Sequence, residues 1–257
     1  MKSQRIFVTG ASGCIGHYVV ESLVESTPHE LFLLVRNPGK LQLDCQASDR
    51  LHILQGDLHQ IHRFTEILVT IDTAILTAAA WGDPTETFDI NVTKTIELIQ
   101  LLNPERCQQV IYFSTASILD RQNQPLPQAV TLGTDYIRTK YVCHQRLESL
   151  TLFPKITTVF PTLVFGGDGK KPYSHLSGGL SDVIKWMPLI RFFRVDGSFH
   201  YVHAQDIATV VTHLVDHPPQ PDTPRELVLG NDAVTVNQAI RDISQYLNFS
   251  VWLRVPL

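Results

Sequence analysis

No two of the four cysteines, Cys14, Cys45, Cys107 and Cys143, stand in a C-x-x-C spacing, so neither a zinc site nor a disulfide framework is indicated. They read as buried or half-exposed thiols. The eleven histidines include no H-E-x-x-H pair, solvation at the surface accounts for most of them, and no metal is expected. Charge of one sign is scarce too: a net charge of -4 gives no electrostatic reason to expect nucleic acid. No run of about 18 apolar residues occurs, so no transmembrane segment is expected. The opening Met1-Lys2-Ser3-Gln4-Arg5 leads at once into an apolar run, which leaves no room for a signal peptide and makes the cytoplasm the expected compartment. What is present is an ordinary globular composition, 44% hydrophobic and 18% charged, in 257 residues: enough for one domain, or one domain with a small appendage.

The first half alternates short β-rich runs with longer amphipathic ones, the pattern of βαβ units around a parallel sheet. Strands are expected at Arg5 to Val8, Glu30 to Val35, Leu51 to Leu54, Thr73 to Leu76, Gln109 to Phe113 and Lys155 to Phe160. Helical patterns cover Ile15 to Glu25, Phe88 to Leu102 and Thr134 to Leu150. Past Pro161 the alternation weakens. Gly166-Gly167-Asp168-Gly169 and Ser177-Gly178-Gly179 read as mobile loops, and Pro218, Pro219, Pro221 and Pro224 crowd another. A strand near Glu226 to Leu229 and a helix near Val236 to Leu247, opened by Thr235 as N-cap, follow.

Between the first strand and first helix lies Thr9-Gly10-Ala11-Ser12-Gly13-Cys14-Ile15-Gly16. A helix N-terminus offers unpaired N–H groups and partial positive charge, which suit a pyrophosphate if no side chain blocks the backbone. Gly10 would make the tight turn, Gly13 admit phosphates and Gly16 let helix and strand approach. Other strand ends carry small or polar clusters: Gln55-Gly56-Asp57-Leu58, Ala78-Ala79-Ala80-Trp81-Gly82 and Ser114-Thr115-Ala116-Ser117. Ligands of open α/β sheets bind at such ends. Tyr136 and Lys140 stand four apart on a helical pattern, hence on one face. An ammonium beside a phenol stabilises the phenolate and lowers its pKa, making the tyrosine a usable acid or base.

On these residues, with Asn91 and the late run Tyr201-Val202-His203-Ala204-Gln205-Asp206-Ile207-Ala208, the chain resembles the extended branch of the short-chain dehydrogenase/reductase superfamily, the NAD-dependent epimerase/dehydratase family. The resemblance covers nearly the whole chain. It implies an α/β fold, a doubly wound parallel sheet of the Rossmann type with a small C-terminal substrate lobe. Residues 1–165 would form the cofactor-binding domain and 166–257 the lobe, part of which returns to the core. It implies an enzyme with Tyr136 as general acid/base and Lys140 holding the nicotinamide ribose while lowering the tyrosine pKa. Thr115 aligns with the substrate-orienting hydroxyl, with Ser114 and Ser117 as rivals and Ser117 the stronger. Gly10, Ser12, Gly13, Cys14, Ile15 and Gly16 would cradle the cofactor. Asp57 and Leu58 would flank its adenine, Ala78, Ala79 and Ala80 run along it, and Pro161, Thr162 and Val164 meet its nicotinamide end. Asn91 would brace the sheet.

NAD-selective sites usually place an acid at the end of the second strand to accept the ribose 2′-OH, whereas arginine suits a 2′-phosphate. Here Val35-Arg36 stands with no acid between Leu31 and Asn37. NADP(H) is therefore expected over NAD(H), with Arg36 the discriminator and Ser12 and Lys40 as helpers. Sugar-nucleotide members of the family typically carry arginines where this chain has Phe160 and Phe199-His200, and losing them removes planar forks suited to phosphate. Arg191 and Arg194 could restore such a site. His203 matches reductase-like members resembling dihydroflavonol reductases and 3β-hydroxysteroid dehydrogenases, and as a bare residue it reads as structural. The expected reaction interconverts a carbonyl and a secondary alcohol on a small, moderately apolar molecule. The alternatives are a sugar-nucleotide epimerase or dehydratase that retains its cofactor, and a nucleotide-sensing binding protein. The expected partners are a small-molecule substrate and, as an open option, a second copy of the chain. The short stretch after Pro161 leaves open a compact lobe or a truncated form.

Overall fold

The computed structural model describes residues 3–43, 49–220, 224–250 and 255–256, so Cys45 and Pro221 lie outside the described residues. The chain runs β1 (Arg5–Thr9), α1 (Cys14–Ser26), β2 (Glu30–Val35), β3 (Leu51–Gln55), α2 (Thr65–Leu68), β4 (Thr73–Leu76), α3 (Pro84–Phe88), α4 (Thr95–Leu101), β5 (Gln109–Phe113), α5 (Gln128–Leu132), α6 (Asp135–Leu147) and β6 (Ile156–Pro161). It continues through β7 (Leu163–Phe165), α7 (His175–Ile190), β8 (Phe193–Arg194), β9 (Ser198–Phe199), β10 (Tyr201–His203), α8 (Ala204–Asp216), β11 (Arg225–Leu229), β12 (Val234–Thr235), α9 (Val236–Tyr246) and β13 (Val255–Pro256). Seven strands form one parallel sheet in the order β11-β6-β5-β4-β1-β2-β3. Strand order reverses direction between β1 and β4, and the crevice at such a switch point is where this architecture binds ligands.

Strand alternation divides the core into two layers. Ile6 and Val8 of β1 and Leu31, Leu33 and Val35 of β2 pack on Tyr18, Val19 and Leu23 of α1 and on Ile207, Val211 and Leu214 of α8. Phe7, Phe32 and Leu34 face the other side, against Ile61, Leu68, Leu98, Ile99 and Leu147. Both faces of a parallel sheet are thereby covered, which is why its strands read as continuous apolar runs. The late strand joins the same sheet, with β11 pairing β6 from Arg225 opposite Thr157 to Leu229 opposite Pro161.

Two expectations change. The helix expected over Phe88 to Leu102 is α3, a π-helical segment Asp89–Lys94 and α4. The wider turn holds Asn91 in the interior, and π segments of this kind recur at functional sites. Ser177-Gly178-Gly179, expected in a mobile loop, lies inside α7, whose Ser174 N-cap accepts from Ser177 N at 3.0 Å. That cap and the apolar spacing of the following residues outweigh two glycines costing about 1 kcal/mol each.

Candidate active site

The glycine-rich turn is built for close backbone approach. Gly10 has φ +72°, and a Cβ there would lie 2.5 Å from Thr77 Oγ1 and 2.8 Å from Ala78 N. A Cβ on Gly16 would run into the Gly10 carbonyl, so this glycine lets α1 sit directly on the turn. Gly13 is the N-cap of α1 and no side chain caps that end, which leaves first-turn N–H groups free for an outside acceptor. A cleft of about 790 Å³ opens here, lined by Gly10, Ser12 and Gly13, then by Arg36, Asn37 and Lys40, and by Gly56, Asp57 and Leu58. Ala78, Ala79, Ala80 and Trp81, with Glu86, Ile90 and His175, complete its other wall. Cys14, Ile15 and Gly16 lie in the first turn of α1, behind that lining.

The side chains of Arg36 and Lys40 are exposed and have no hydrogen-bond or ion-pair partner among the described residues, Lys40 N alone donating to Asn37 O at 3.1 Å. Asp57 caps the turn after β3, accepting from His59 N at 2.7 Å, and His59 in turn meets Glu86 at 3.1 Å and Asp89 at 3.0 Å. The Glu86 hydrogen bond, ahead of the Asp57 and Asp89 charges, raises the His59 pKa. Asp57 and Glu86, tied through His59, line the same cleft as Arg36 and Lys40. Glycine cradle, open amides and free cations fit a phosphate-bearing dinucleotide.

Across the sheet, α6 opens with Thr134 as N-cap and Asp135 in its first turn, both favourable to the helix dipole. It carries Tyr136 and Lys140 toward the end of β5. Lys140, only 2% exposed, donates to the Phe113 carbonyl at 2.7 Å and stands 5.0 Å from the centre of the Tyr112 ring. Burial lowers its pKa to about 8. Its Nζ is 5.9 Å from the Tyr136 ring centre. The Tyr136 pKa is raised to about 12 by burial, so the lowering expected from Lys140 is corrected: the ammonium turns to a carbonyl, and an aromatic plane covers the phenol. That plane is Trp81, stacked on Tyr136 at 3.5 Å between centroids and 10° between planes, with the His175 ring 5.2 Å away.

Thr115 caps the turn Ala116–Ile118 and lies 3.2 Å from Ser117 Oγ, so the two rival hydroxyls form one pair. Ser117 is the exposed member, and Ser114 Oγ is buried without a hydrogen-bond partner among the described residues. Asn91 braces the loop after β4 more than the sheet. Its Oδ1 accepts from Ala80 N at 2.8 Å, and its Nδ2 donates to Ala80 O and Thr139 Oγ1, each at 3.1 Å. Pro161, Thr162 and Val164 are not among the residues that line this cleft, and neither are Thr115, Ser117, Tyr136 and Lys140, which lie beyond Trp81; Thr162 bonds Leu229 O through N and Oγ1, and Val164 pairs with Val202. Arg191 lies over Phe192 and Phe249, and Arg194 pairs in β8 with β13, so neither lines the cleft. His203 caps α8 and meets Tyr18 edge-on, the structural part read for it.

Trp81, Glu86 and His175 were not legible as site residues. Trp81 carried a signal, a lone large aromatic in a run of small residues at a strand end. His175 was hidden because its helix read as loop.

The profile of the NAD dependent epimerase/dehydratase family matches residues 6–230. Quinone oxidoreductase 2 of Escherichia coli (strain K12) is 33% identical over 76 residues, covering 29% of this chain and 26% of that protein. The chain thus spans about a quarter of the length of this curated relative. UDP-N-acetylglucosamine 4-epimerase from Methanobrevibacter ruminantium M1, solved in complex with UDP-N-acetylmuramic acid, is 18% identical, with TM-score 0.74 over 100% of this chain and 86% of its own. dTDP-glucose 4,6-dehydratase from Bacillus anthracis str. Ames, solved in complex with NAD, is 14% identical, with TM-score 0.73 over 99% and 84%. At these identities the two structures speak for the fold. Among the described residues no helix is long and apolar enough to cross a membrane. A family match running from β1 past the end of β11, on a seven-stranded parallel sheet with a glycine cradle at its switch point, shows that the chain belongs to the NAD dependent epimerase/dehydratase family.

Proposed function

We propose that the chain is an NADP(H)-dependent oxidoreductase that interconverts a carbonyl and a secondary alcohol on a small, moderately apolar molecule. The observation that carries this reading is the division of charge along the sheet. The cleft's free cations, Arg36 and Lys40, lie at the end of β2, while Tyr136 lies by β5, with an indole and, among the described residues, no arginine side chain against it. Three strand spacings, about 14 Å, separate the two ends. A phosphate-rich group fits the first and a flat or apolar one the second.

The bound cofactor supplies a hydride donor or acceptor. The remaining roles belong to this chain. Gly10, Gly13 and the first turn of α1 hold phosphates, and Arg36 with Lys40 and Ser12 pairs with a 2′-phosphate. The Thr115–Ser117 pair orients the substrate oxygen: Thr115 Oγ1 donates to Ser117 Oγ, which leaves the Ser117 hydroxyl proton to donate to that oxygen. Tyr136 gives that oxygen its proton in reduction and removes it in oxidation. A phenol with pKa about 12 holds its proton throughout the neutral range, which suits it to act as the acid in reduction. Oxidation needs the phenolate, hence Lys140 turned from Phe113 toward the phenol.

A second reading, epimerisation or dehydration of a sugar nucleotide, draws on the two solved structures and uses the same tyrosine. It returns the hydride, so it predicts substrate conversion without net nicotinamide consumption. The test is NADPH oxidation against a panel of ketones, quinones and sugar nucleotides. Tyr136→Phe is expected to lower kcat about 10²- to 10⁴-fold while leaving NADPH affinity unchanged. In the same assay, Arg36→Asp should weaken NADPH relative to NADH roughly ten- to a hundredfold, the worth of a charge-assisted hydrogen bond. Full turnover by Tyr136→Phe overturns the catalytic assignment, and an unchanged preference in Arg36→Asp overturns the cofactor assignment.

A further inference from the structure

Trp81 lies where the proposed chemistry has to happen. Its indole is flat against Tyr136, 3.5 Å between centroids and 10° between planes, and it also lines the end of the cleft whose other end holds Gly10 and Arg36. A cofactor laid along that cleft must bring its reactive ring beside Tyr136, and the indole occupies that approach. The backbone on its N-terminal side is fixed. Asn91 binds both the N–H and the carbonyl of Ala80, and also Thr139 Oγ1, one residue from the Lys140 turn and itself bonded to the Tyr136 carbonyl at 2.9 Å. One buried side chain thus holds the two backbones of the stacked pair in register. The indole itself is loosely held: it is 53% exposed and is followed by Gly82, at φ +106°, where a Cβ would meet nothing within 4 Å. Its stacking partners are two rings of modest hold, an aromatic pair being worth about 0.5–1.5 kcal/mol beyond its buried area.

We propose that Trp81 is a further residue of the cofactor site: its indole sits in the seat beside Tyr136 that the nicotinamide ring takes, and the cofactor binds by exchanging one flat ring for the other. This rests on the dinucleotide reading given above. It goes beyond that reading by assigning Trp81 control over one half of the ligand. The adenine half binds without moving it. The nicotinamide half binds only to the fraction of molecules in which the indole has swung off Tyr136, so the apparent affinity is reduced by that fraction.

Fluorescence reads this directly. In a Trp186→Phe/Trp252→Phe background Trp81 is the remaining indole. The protein is titrated with NADP+ or NAD+, and with 2′,5′-ADP or ADP, which carry the adenine half alone, and binding is followed in parallel by calorimetry. The dinucleotide should change the Trp81 emission as it leaves Tyr136, and the adenine half should bind without changing it. Trp81→Ala, a truncation at a half-exposed site, should bind the dinucleotide roughly five- to tenfold more tightly and the adenine half equally well. Emission that moves equally with both ligands, or stays still while calorimetry shows the dinucleotide bound, overturns the exchange and leaves the cofactor reading intact. Unchanged or weaker dinucleotide binding by Trp81→Ala does the same. If neither dinucleotide nor adenine half binds, the cofactor reading fails and the exchange with it.

Discussion

At the scale of the residue, Lys140 shows how a spacing can be read correctly and its consequence wrongly. Four residues on one helix do place Tyr136 and Lys140 on a shared face, as the sequence pattern required. The ammonium, however, is buried and donates to Phe113 O, and burial takes its pKa down to about 8. Which way a long side chain turns depends on carbonyls contributed by a strand over twenty residues away, and no local spacing records that. The reading of Arg36 turned instead on an absence, the missing acid at the end of β2, and the structure places its side chain at the cleft while the NADP(H) preference drawn from it stays a proposal. The depressed pKa of Lys140 carries a cost. A lysine that titrates near 8 when folded and near its ordinary 10.5 when unfolded binds fewer protons folded, so its burden on stability is complete below pH 8. That burden lifts as pH rises from about 8 to 10.5. It amounts to about 3 kcal/mol at neutral pH, less what the bond to Phe113 returns. Lys140→Met should therefore raise the thermal midpoint at pH 7 by several degrees, about 1–2 kcal/mol, while abolishing activity. Calorimetry at pH 7 and pH 10 checks it: the gap between variant and parent should narrow at the higher pH, and a variant less stable at pH 7 would refute the burial cost.

At the scale of the element, strands were more legible than helices. β2, β4 and β5 fall where their apolar runs end, because a strand buried on both faces is written as an uninterrupted hydrophobic stretch. The π segment was not legible, since its apolar residues keep helical spacing and only the position of Asn91 betrays the extra residue. α7 was lost to two glycines, and it carries His175 to the site. Neither Gly178 nor Gly179 has anything within 4 Å of an added Cβ, and neither has a left-handed φ. They weaken the helix without being needed for its geometry. Gly178→Ala and Gly179→Ala should each stabilise the protein by about 0.5–1 kcal/mol, seen as a higher denaturant midpoint with an unchanged slope. A loss of stability in either would mean that the backbone there is not helical.

At the scale of the molecule, the lobe read over residues 166–257 is expected to return in part to the core, and the chain beyond residue 165 supplies a strand and a helix to the main sheet. β11 is its edge strand beside β6, and α8 covers the face that also receives α1. Ile207, Val211, Leu214 and Val215 of α8 are at most 3% exposed. Burying each contributes about 1.5–3 kcal/mol, so together they contribute about 6–12 kcal/mol. That is comparable to the whole stability of an ordinary domain, about 5–15 kcal/mol. A fragment of residues 1–165 would leave the Tyr18, Val19 and Leu23 face of α1 uncovered and the edge of β6 unpaired. It is expected to show no cooperative thermal transition and no NADP+ binding. The full chain is expected to unfold in one transition, which NADP+ at a hundred times its Kd should stabilise by about 2.7 kcal/mol. A cooperative, NADP+-binding fragment would establish residues 1–165 as an independent domain. Two separate transitions in the full chain, with only one responding to NADP+, would do the same. A single transition that responds as a whole would mean that the glycine cradle, Tyr136 and the α7 residue facing Trp81 are held by one cooperative unit, so that stabilising the cofactor end also steadies the end where the proton is moved.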